Sequence, residues 1–162
     1  MPQVLAELVP DLSVLISDLT KVLVAFLLAL PSAWERGHGP GNTGFRTLPV
    51  VAMAACGFAL IMASADPGEV EARARVLQGV ITGIGFIGGG AILKHNGSVH
   101  GLVTAATIWN AGAIGVAVGF GRTSIAVVLA LINVVSLLLL NSLERSGKNG
   151  SEEQEADNDE SR

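Results

Sequence analysis

The chain has 162 residues, of which 50% are hydrophobic and 15% are charged, and its mean hydropathy is +0.56. This composition excludes an ordinary soluble domain and indicates a protein that crosses a membrane several times. The formal net charge of −4 comes from acidic residues at the C-terminal end, so it does not indicate the partners of the apolar region, and no nucleic-acid partner is expected. The single cysteine, Cys56, lies in an apolar run and is expected to be a buried, inert thiol.

The pattern of apolar runs predicts an all-α fold, a polytopic transmembrane helical bundle of about five spans. A leader of residues 1–13 lacks the basic start of a cleavable signal peptide. The membrane domain that follows is predicted to cover residues 14–143, and residues 144–162 are predicted to form a disordered acidic tail. The spans are predicted at residues 14–34, 47–65, 76–93, 102–118 and 124–140.

Basic residues predict how the spans are oriented. Arg36, Arg46 and Lys94 lie in the first and third predicted loops, whereas the leader has no Lys or Arg. In the second loop, Arg73 and Arg75 are balanced by acidic residues. By the positive-inside rule, we expect a multi-pass protein of the bacterial inner membrane with its N-terminus outside and its C-terminus in the cytoplasm.

Asp18 and Lys21 are charged residues in the outer half of the first span. They are three residues apart, so their side chains can meet on one helix face. In one interpretation, Lys21 reaches the membrane interface and Asp18 lies among the headgroups. In the other, the two side chains form an ion pair buried against the bundle.

Small residues dominate the third and fourth spans, where they recur in steps of three and four and so form continuous helix faces. The third span carries Gly79, Gly83, Phe86 and Gly90 on one face and Gly85 and Gly89 on another, with Gly88 also assigned to packing; the fourth carries Gly101, Ala105, Ile108, Gly112, Gly115 and Gly119. Small residues let helix backbones approach closely in lipid. We therefore predict that these two spans form a tight antiparallel hairpin at the centre of the bundle, and that the third span can be approached on two sides.

Residues 83–88 match the dinucleotide-binding pattern G-x-G-x-x-G. That pattern works when a strand leads into the glycine turn, a helix follows, and an acidic residue binds the ribose. Here apolar sequence continues on both sides, and no acidic residue lies between Glu71 and Glu144. A nucleotide site is therefore not expected.

Metal binding, cofactor binding and catalysis are not predicted either. Mg²⁺ prefers carboxylate ligands, and the third, fourth and fifth spans contain none. The histidines His38, His95 and His100 fall in two loops without the further ligands that a zinc site needs. No arrangement of Ser, His and an acid suggests nucleophilic catalysis. The polar residues of these spans suit hydrogen bonds between helices; they include Thr104, Thr107, Asn110, Asn133 and Ser136.

Several linked motifs resemble the MgtC/SapB family of membrane proteins. The longest are Thr-Gly-Ile-Gly-Phe-Ile-Gly-Gly-Gly-Ala-Ile-Leu-Lys at residues 82–94 and Gly-Leu-Val-Thr-Ala-Ala-Thr-Ile-Trp at residues 101–109. Glu35-Arg36 and Gly-Phe-Arg-Thr at residues 44–47 also match, and the resemblance covers about residues 21–140 in unbroken order. The polar residues expected at these motifs and beside them are Glu35, Arg36, Arg46, Thr47, Thr104, Trp109 and Asn110.

The resemblance implies about five transmembrane helices, a cytoplasmic C-terminus, and a link to growth at low Mg²⁺ and to virulence. It also implies action on other membrane proteins, the ATP synthase among them. His100 and Val103 depart from the residues that the family often has at these positions. The chain is expected to be a short, SapB-like member without the C-terminal soluble domain of the longer members.

We therefore expect a non-enzymatic accessory or regulatory membrane protein. Its expected partners are the lipid bilayer and other membrane proteins, such as the ATP synthase or a cation transporter, with a homo-oligomer as a further option. The alternative is a small transporter or channel subunit for Mg²⁺ or another solute, with Asp18, Lys21, Glu35 and Arg46 near its path. An enzyme would require Glu35, Arg36 and His38 to close over a lipid-derived substrate.

Overall fold

The computed structural model describes residues 11–37, 44–63, 70–95 and 98–139. The predicted tail, most of the leader and His38 lie outside the described residues. Within them the chain forms five helices and one β-hairpin. The elements are α1 (Leu12–Gly37), α2 (Gly44–Ala63), α3 (Val70–Gly90), β1 (Leu93–His95), β2 (Ser98–His100), α4 (Leu102–Gly119) and α5 (Thr123–Leu139).

Helix α1 begins at Leu12, slightly before the predicted span, because Asp11 caps it. The Asp11 carboxylate accepts hydrogen bonds from the backbone N–H and the hydroxyl of Ser13, both at 2.9 Å. The helix has 26 residues and continues through Pro31 to Gly37. It passes the proline because a chain in lipid has no water to satisfy its backbone and gains by staying helical.

Helices α2 and α3 also begin before the predicted spans, at Gly44 and Val70. The first turn of α3 carries an exposed ion pair, in which Arg75 Nη2 is 2.9 Å from Glu71 Oε1. This spacing of four residues supports a helix, and α3 begins within residues 66–75, which the sequence indicated as a loop or as the first turn of the third helix. Hydropathy marks the part of a helix that suits lipid, and the helix itself can be longer.

A β-hairpin stands where a short polar turn was predicted between the third and fourth spans. Strands β1 and β2 are antiparallel, with Leu93 opposite His100 and Lys94 opposite Val99. Each strand has three residues, which is too short for an alternating pattern to be recognised in the sequence.

The predicted all-α transmembrane architecture is confirmed. Three helices are long and apolar enough to cross a membrane: Leu12–Gly37, Phe45–Ala63 and Leu102–Gly119. Thr123–Leu139 is a shorter apolar helix, and α3 has 21 residues, about the length that a bilayer requires.

Helix α4 lies at the centre of the bundle and contacts α1, α2 and α3. One core cluster joins four helices through Ala25, Ala29, Ala52, Cys56, Leu60, Ile114, Val118, Ala126 and Ala130. A second core cluster joins the helices α1, α2, α3 and α4 through Ala33, Leu48, Val51, Ala55, Ile84, Ile108 and Ala111. Most of these side chains are small, which lets the helix axes come close.

The closest approach in the bundle is between α4 and α2. A Cβ on Gly115 would overlap the carbonyl oxygen of Ala52, and a Cβ on Gly119 would lie 2.7 Å from the carbonyl oxygen of Cys56. Glycine is therefore required at both positions for the two backbones to pack as they do. Cys56 is fully buried at this contact.

Helices α3 and α4 are adjacent and pack against each other, although the closest backbone contact of α4 is with α2. They meet where the Ile84 side chain fills the space beside Gly112, and where the carbonyl oxygen of Ala105 lies 3.2 Å from a Cβ built on Gly88. Ile84 and Gly88 are the two buried residues of α3, so α3 turns this face inward. The contact pairs a large side chain with a bare position, and the other glycines of α3 consequently point away from α4.

Candidate functional site

The outer face of α3 consists of the glycines that do not contact α4, together with Phe86. A Cβ built on any of these glycines would meet no atom within 4 Å; they are Gly79, Gly83, Gly85, Gly89 and Gly90. Phe86 stands among them with 84% of its surface exposed. Among the described residues, these glycines have no packing partner, because the inward face of α3 lies between their two rows; their predicted packing role stays a prediction.

An apolar groove of about 640 Å³ runs between α2 and α3, beside this outer face. It exists because α3 leans on α4 and makes few contacts with α2. The residues lining it are Val50, Val51, Ala54, Ala55, Phe58, Val76, Gly79, Val80, Gly83, Ile84, Phe86 and Ile87. None of these side chains is polar, so the groove suits hydrocarbon or an apolar helix.

Polar motif residues collect at the end of the bundle where α1 ends and α4 begins, which we call the hairpin end. Arg36 Nη2 donates a hydrogen bond to Thr104 Oγ1 at 2.9 Å and so connects α1 to α4. Glu35 and Thr47 are half-buried here, and Arg46 is exposed. Gly37 also packs on Phe45, with the Phe45 Cβ 3.4 Å from a Cβ built on Gly37, so the end of α1 and the start of α2 meet here as well.

A second polar contact lies deeper in the bundle. Asn133 Nδ2 donates a hydrogen bond to the buried Ser32 Oγ at 2.7 Å, which joins α5 to α1. Asn110 is half-buried, and its Nδ2 is buried with no acceptor among the described residues. Trp109, the neighbouring motif residue, is 51% exposed on the outside of α4.

Asp18 and Lys21 are both half-buried on α1, and in the described part of the chain they are not joined by an ion pair. The antiparallel helices α1 and α4 meet at Arg36 and Thr104. Lys21 is as many residues from Arg36 along α1 as Gly119 is from Thr104 along α4. Lys21 therefore lies level with the end of α4. At that depth its flexible stem can carry the ammonium group to the membrane interface, as the first of the two interpretations requires.

The described residues contain no cluster of three or more His, Cys, Asp or Glu side chains that could hold a metal ion. His95 lies in β1, and His100 is exposed in β2.

Sequence reasoning missed two features of this arrangement. The Ser32–Asn133 contact had a signal, since both are polar residues on apolar helices, but the partners were not paired. The groove between α2 and α3 had no signal in the sequence, because the pattern of residues on each helix face does not show which neighbouring helices separate.

Comparison with known proteins shows which family this chain resembles. The model of the MgtC family matches residues 22–146. Protein SrpB of Synechococcus elongatus is 31% identical over 137 residues, which is 77% of this chain and 75% of SrpB. Protein MgtC of Brucella abortus is 37% identical over 119 residues, covering 74% of this chain and 49% of that protein. Protein MgtC of Salmonella typhimurium is 34% identical over 119 residues, covering 74% of this chain and 50% of that protein.

The chain thus spans about half the length of these two MgtC proteins. No solved structure matches it. The family match runs from within α1 to beyond α5 and includes the glycine-rich α3, the β-hairpin and the Arg36–Thr104 contact. The chain is a multi-pass membrane protein, and it belongs to the MgtC family.

Proposed function

We propose that this protein is an accessory or regulatory protein of the bacterial inner membrane that binds transmembrane helices of other membrane proteins through the outer face of α3. The observation that carries the proposal is the open surroundings of five glycines on one transmembrane helix. Where an unbranched, bare helix surface faces lipid, another helix can come closer to it than to any other part of the bundle.

The groove beside this face supports the same proposal. A partner helix that crosses α3 at the glycines can place its side chains between α2 and α3, where the lining is apolar and no described residue fills the groove. Association of helices in lipid depends on close van der Waals packing more than on hydrophobic burial. A bare ridge next to an open groove offers such packing.

Family membership supports a biological setting for the proposal. Curated relatives carry the name MgtC, and the resemblance of the motifs suggests a role under Mg²⁺ limitation and envelope stress and an association with virulence. The ATP synthase and cation transporters are the first partners to test. The positive-inside rule favours a cytoplasmic C-terminus.

The test is partner capture with a side chain added to the outer face. We expect Gly83→Leu to reduce crosslinking to other membrane proteins at low Mg²⁺ by at least about tenfold, the equivalent of about 1.4 kcal/mol. The matched control is Gly57→Leu on α2, because a Cβ at Gly57 also meets nothing within 4 Å. Gly112→Leu is unsuitable, since its side chain would overlap Ile84 and disturb the fold.

Three outcomes would contradict the proposal. Equal capture by Gly83→Leu and the unsubstituted protein would remove the α3 face from partner binding. Capture of a second copy alone would make the face a homo-oligomer contact. Saturable Mg²⁺ flux by the purified protein in liposomes, abolished by Glu35→Gln, would favour the transporter alternative.

A further inference from the structure

The β-hairpin of β1 and β2 is the most exposed of the described segments at the hairpin end. Leu93 is 66% exposed and Val99 is 50% exposed, and Lys94, Ser98 and His100 are exposed as well. An isolated two-stranded hairpin is marginally stable in water, and apolar side chains on both strands gain nothing from solvent. The residues that the structure describes therefore leave the apolar side chains of the hairpin uncovered.

The register of the hairpin shows which side chains share each of its two faces. Directly opposite residues of an antiparallel pair lie on one face. One face therefore carries Leu93 with His100, and the other carries Lys94 with Val99. Each face combines an apolar side chain with a basic one. Water would leave the apolar side chains exposed, and hydrocarbon would bury the Lys94 ammonium group, so the headgroup region of a bilayer suits both faces.

The backbone holds the hairpin at that depth. It connects the end of α3 at Gly90 to the start of α4 at Leu102, and both helices lie in the membrane-embedded bundle. Gly101 has φ 87°, and a Cβ there would overlap the carbonyl oxygen of Ala91. The base of the hairpin is thus pressed against the residue that follows α3.

The charge at this end is complementary to anionic lipid. The described charged residues near the hairpin are the bases Arg36, Arg46 and Lys94 and the acid Glu35. Excess basic residues at a membrane surface attract anionic phospholipids. Leu102 and Val103, at the start of α4, are 58% and 49% exposed and continue the apolar surface from the hairpin toward the acyl chains.

We propose that the β1–β2 hairpin is a membrane anchor that inserts Leu93 and Val99 among the headgroups of anionic phospholipids, with Lys94 pairing with their phosphates. This surface is separate from the outer face of α3, and the proposal does not depend on the proposed function. The occupant is a lipid surface.

The test uses a spin label at residue 99 in the full chain. Cys56→Ala removes the native thiol, and Val99→Cys receives the label. The protein is reconstituted in nanodiscs of phosphatidylcholine alone or with phosphatidylglycerol, which present the same lipids on both sides. Collision of the label with oxygen, which concentrates in the bilayer, is compared with collision with a water-soluble nickel chelate.

We expect the label to lie at the depth of the headgroups, and deeper in nanodiscs with phosphatidylglycerol. The preference for phosphatidylglycerol is the ratio of oxygen collision to nickel collision in nanodiscs with phosphatidylglycerol, divided by the same ratio in phosphatidylcholine alone. Lys94→Gln should reduce this preference by about fivefold, the effect of one basic residue near an anionic surface. Lys94→Arg should restore it. Arg122→Gln, an exposed base at the opposite end of the bundle, is the matched control and should leave the preference unchanged.

Two results with the label would overturn the proposal. One is a label that reaches the nickel chelate equally in both lipids, which places the hairpin in water. The other is a label that is immobilised only when soluble proteins are added, which makes the hairpin a protein-docking element. If Lys94→Gln and Lys94→Arg both lose the preference, the lysine acts through the fold, and its pairing with phosphate is also contradicted.

Discussion

At the scale of single residues, the glycines of this protein divide into two groups that look alike in the sequence. Gly115 and Gly119 on α4 are needed because α2 backbone carbonyls occupy the space beside them. Gly57 on α2, in contrast, has no atom within 4 Å of the position that a Cβ would occupy. The same residue type therefore permits close packing at one position and only weakens the helix at another.

The pair Gly115→Ala and Gly57→Ala tests this difference. Gly115→Ala should lower the free energy of unfolding by about 3 kcal/mol, because the new methyl group forces the α2 and α4 backbones apart. Gly57→Ala should raise it by up to about 1 kcal/mol through improved helix propensity. Unfolding with sodium dodecyl sulfate in mixed micelles measures both. Equal effects of the two changes would contradict the close α2–α4 contact.

Asp11 gives a second prediction at the residue scale. Hydrogen bonds from the backbone and side chain of Ser13 lower the pKa of the exposed Asp11 carboxyl. A lowered pKa in the folded state means that the cap stabilises α1 above the ordinary pKa and stops doing so as pH falls through the lowered one. Carboxyl NMR should show this lowered pKa, and Ser13→Ala should raise it toward the ordinary value. The backbone N–H of residue 13 still caps the helix in this variant, so an unchanged pKa in Ser13→Ala would contradict only the hydrogen bond from the Ser13 hydroxyl.

At the scale of elements, the turn from the hairpin into α4 depends on two constraints at one residue. Gly101 has a positive φ, and it also lies against the Ala91 carbonyl. Gly121, after α4, has a positive φ of 72° but open surroundings. Both positions have a positive φ, but only Gly101 contacts a neighbouring carbonyl. Comparing them therefore separates the effect of the backbone conformation from the effect of the contact.

Gly121→Ala should therefore lower the free energy of unfolding by about 1 kcal/mol, the strain of a left-handed alanine. Gly101→Ala should lower it by at least twice as much, because the methyl group also displaces Ala91. The comparison uses the same detergent titration as the α4 variants. Similar losses for both substitutions would show that the base of the hairpin is not pressed against α3.

At the scale of the whole molecule, α1, α2, α4 and α5 pack closely together, whereas α3 packs against them through one face. Helix α4 is enclosed by α1, α2 and α5 through small side chains, and the Asn133–Ser32 hydrogen bond connects the last helix to the first. Helix α3 contacts this unit mainly through the face containing Ile84 and Gly88. Helix α3 is also the one whose glycines are open, and this is why we assign partner binding to it.

Thiol crosslinking tests the closure of the bundle by α5. In a Cys56→Ala background, Ser32→Cys with Asn133→Cys should be joined by a short thiol-reactive crosslinker, since Asn133 Nδ2 lies 2.7 Å from Ser32 Oγ in the native protein. Ser32→Cys with Ile125→Cys is the control, because Ile125 lies more than two turns from Asn133 and is exposed. Peptide mass spectrometry identifies the linked pair. Efficient crosslinking of the control instead would place α5 in a different register.

How far the sequence predicts this protein depends on which physical property each feature reflects. Lipid solubility and backbone hydrogen bonding are properties of a single segment, so the apolar runs alone determined an all-α membrane protein with about five spans, and the motifs at residues 82–94 and 101–109 indicated the family. The direction in which α3 turns depends on the shape of its neighbour. Only the tertiary structure decided that Ile84 enters the space beside Gly112, that α4 packs backbone to backbone on α2, and that the remaining α3 glycines face outward. Packing between helices is a property of pairs of surfaces, and a chain of 162 residues shows its small residues without showing which surfaces meet.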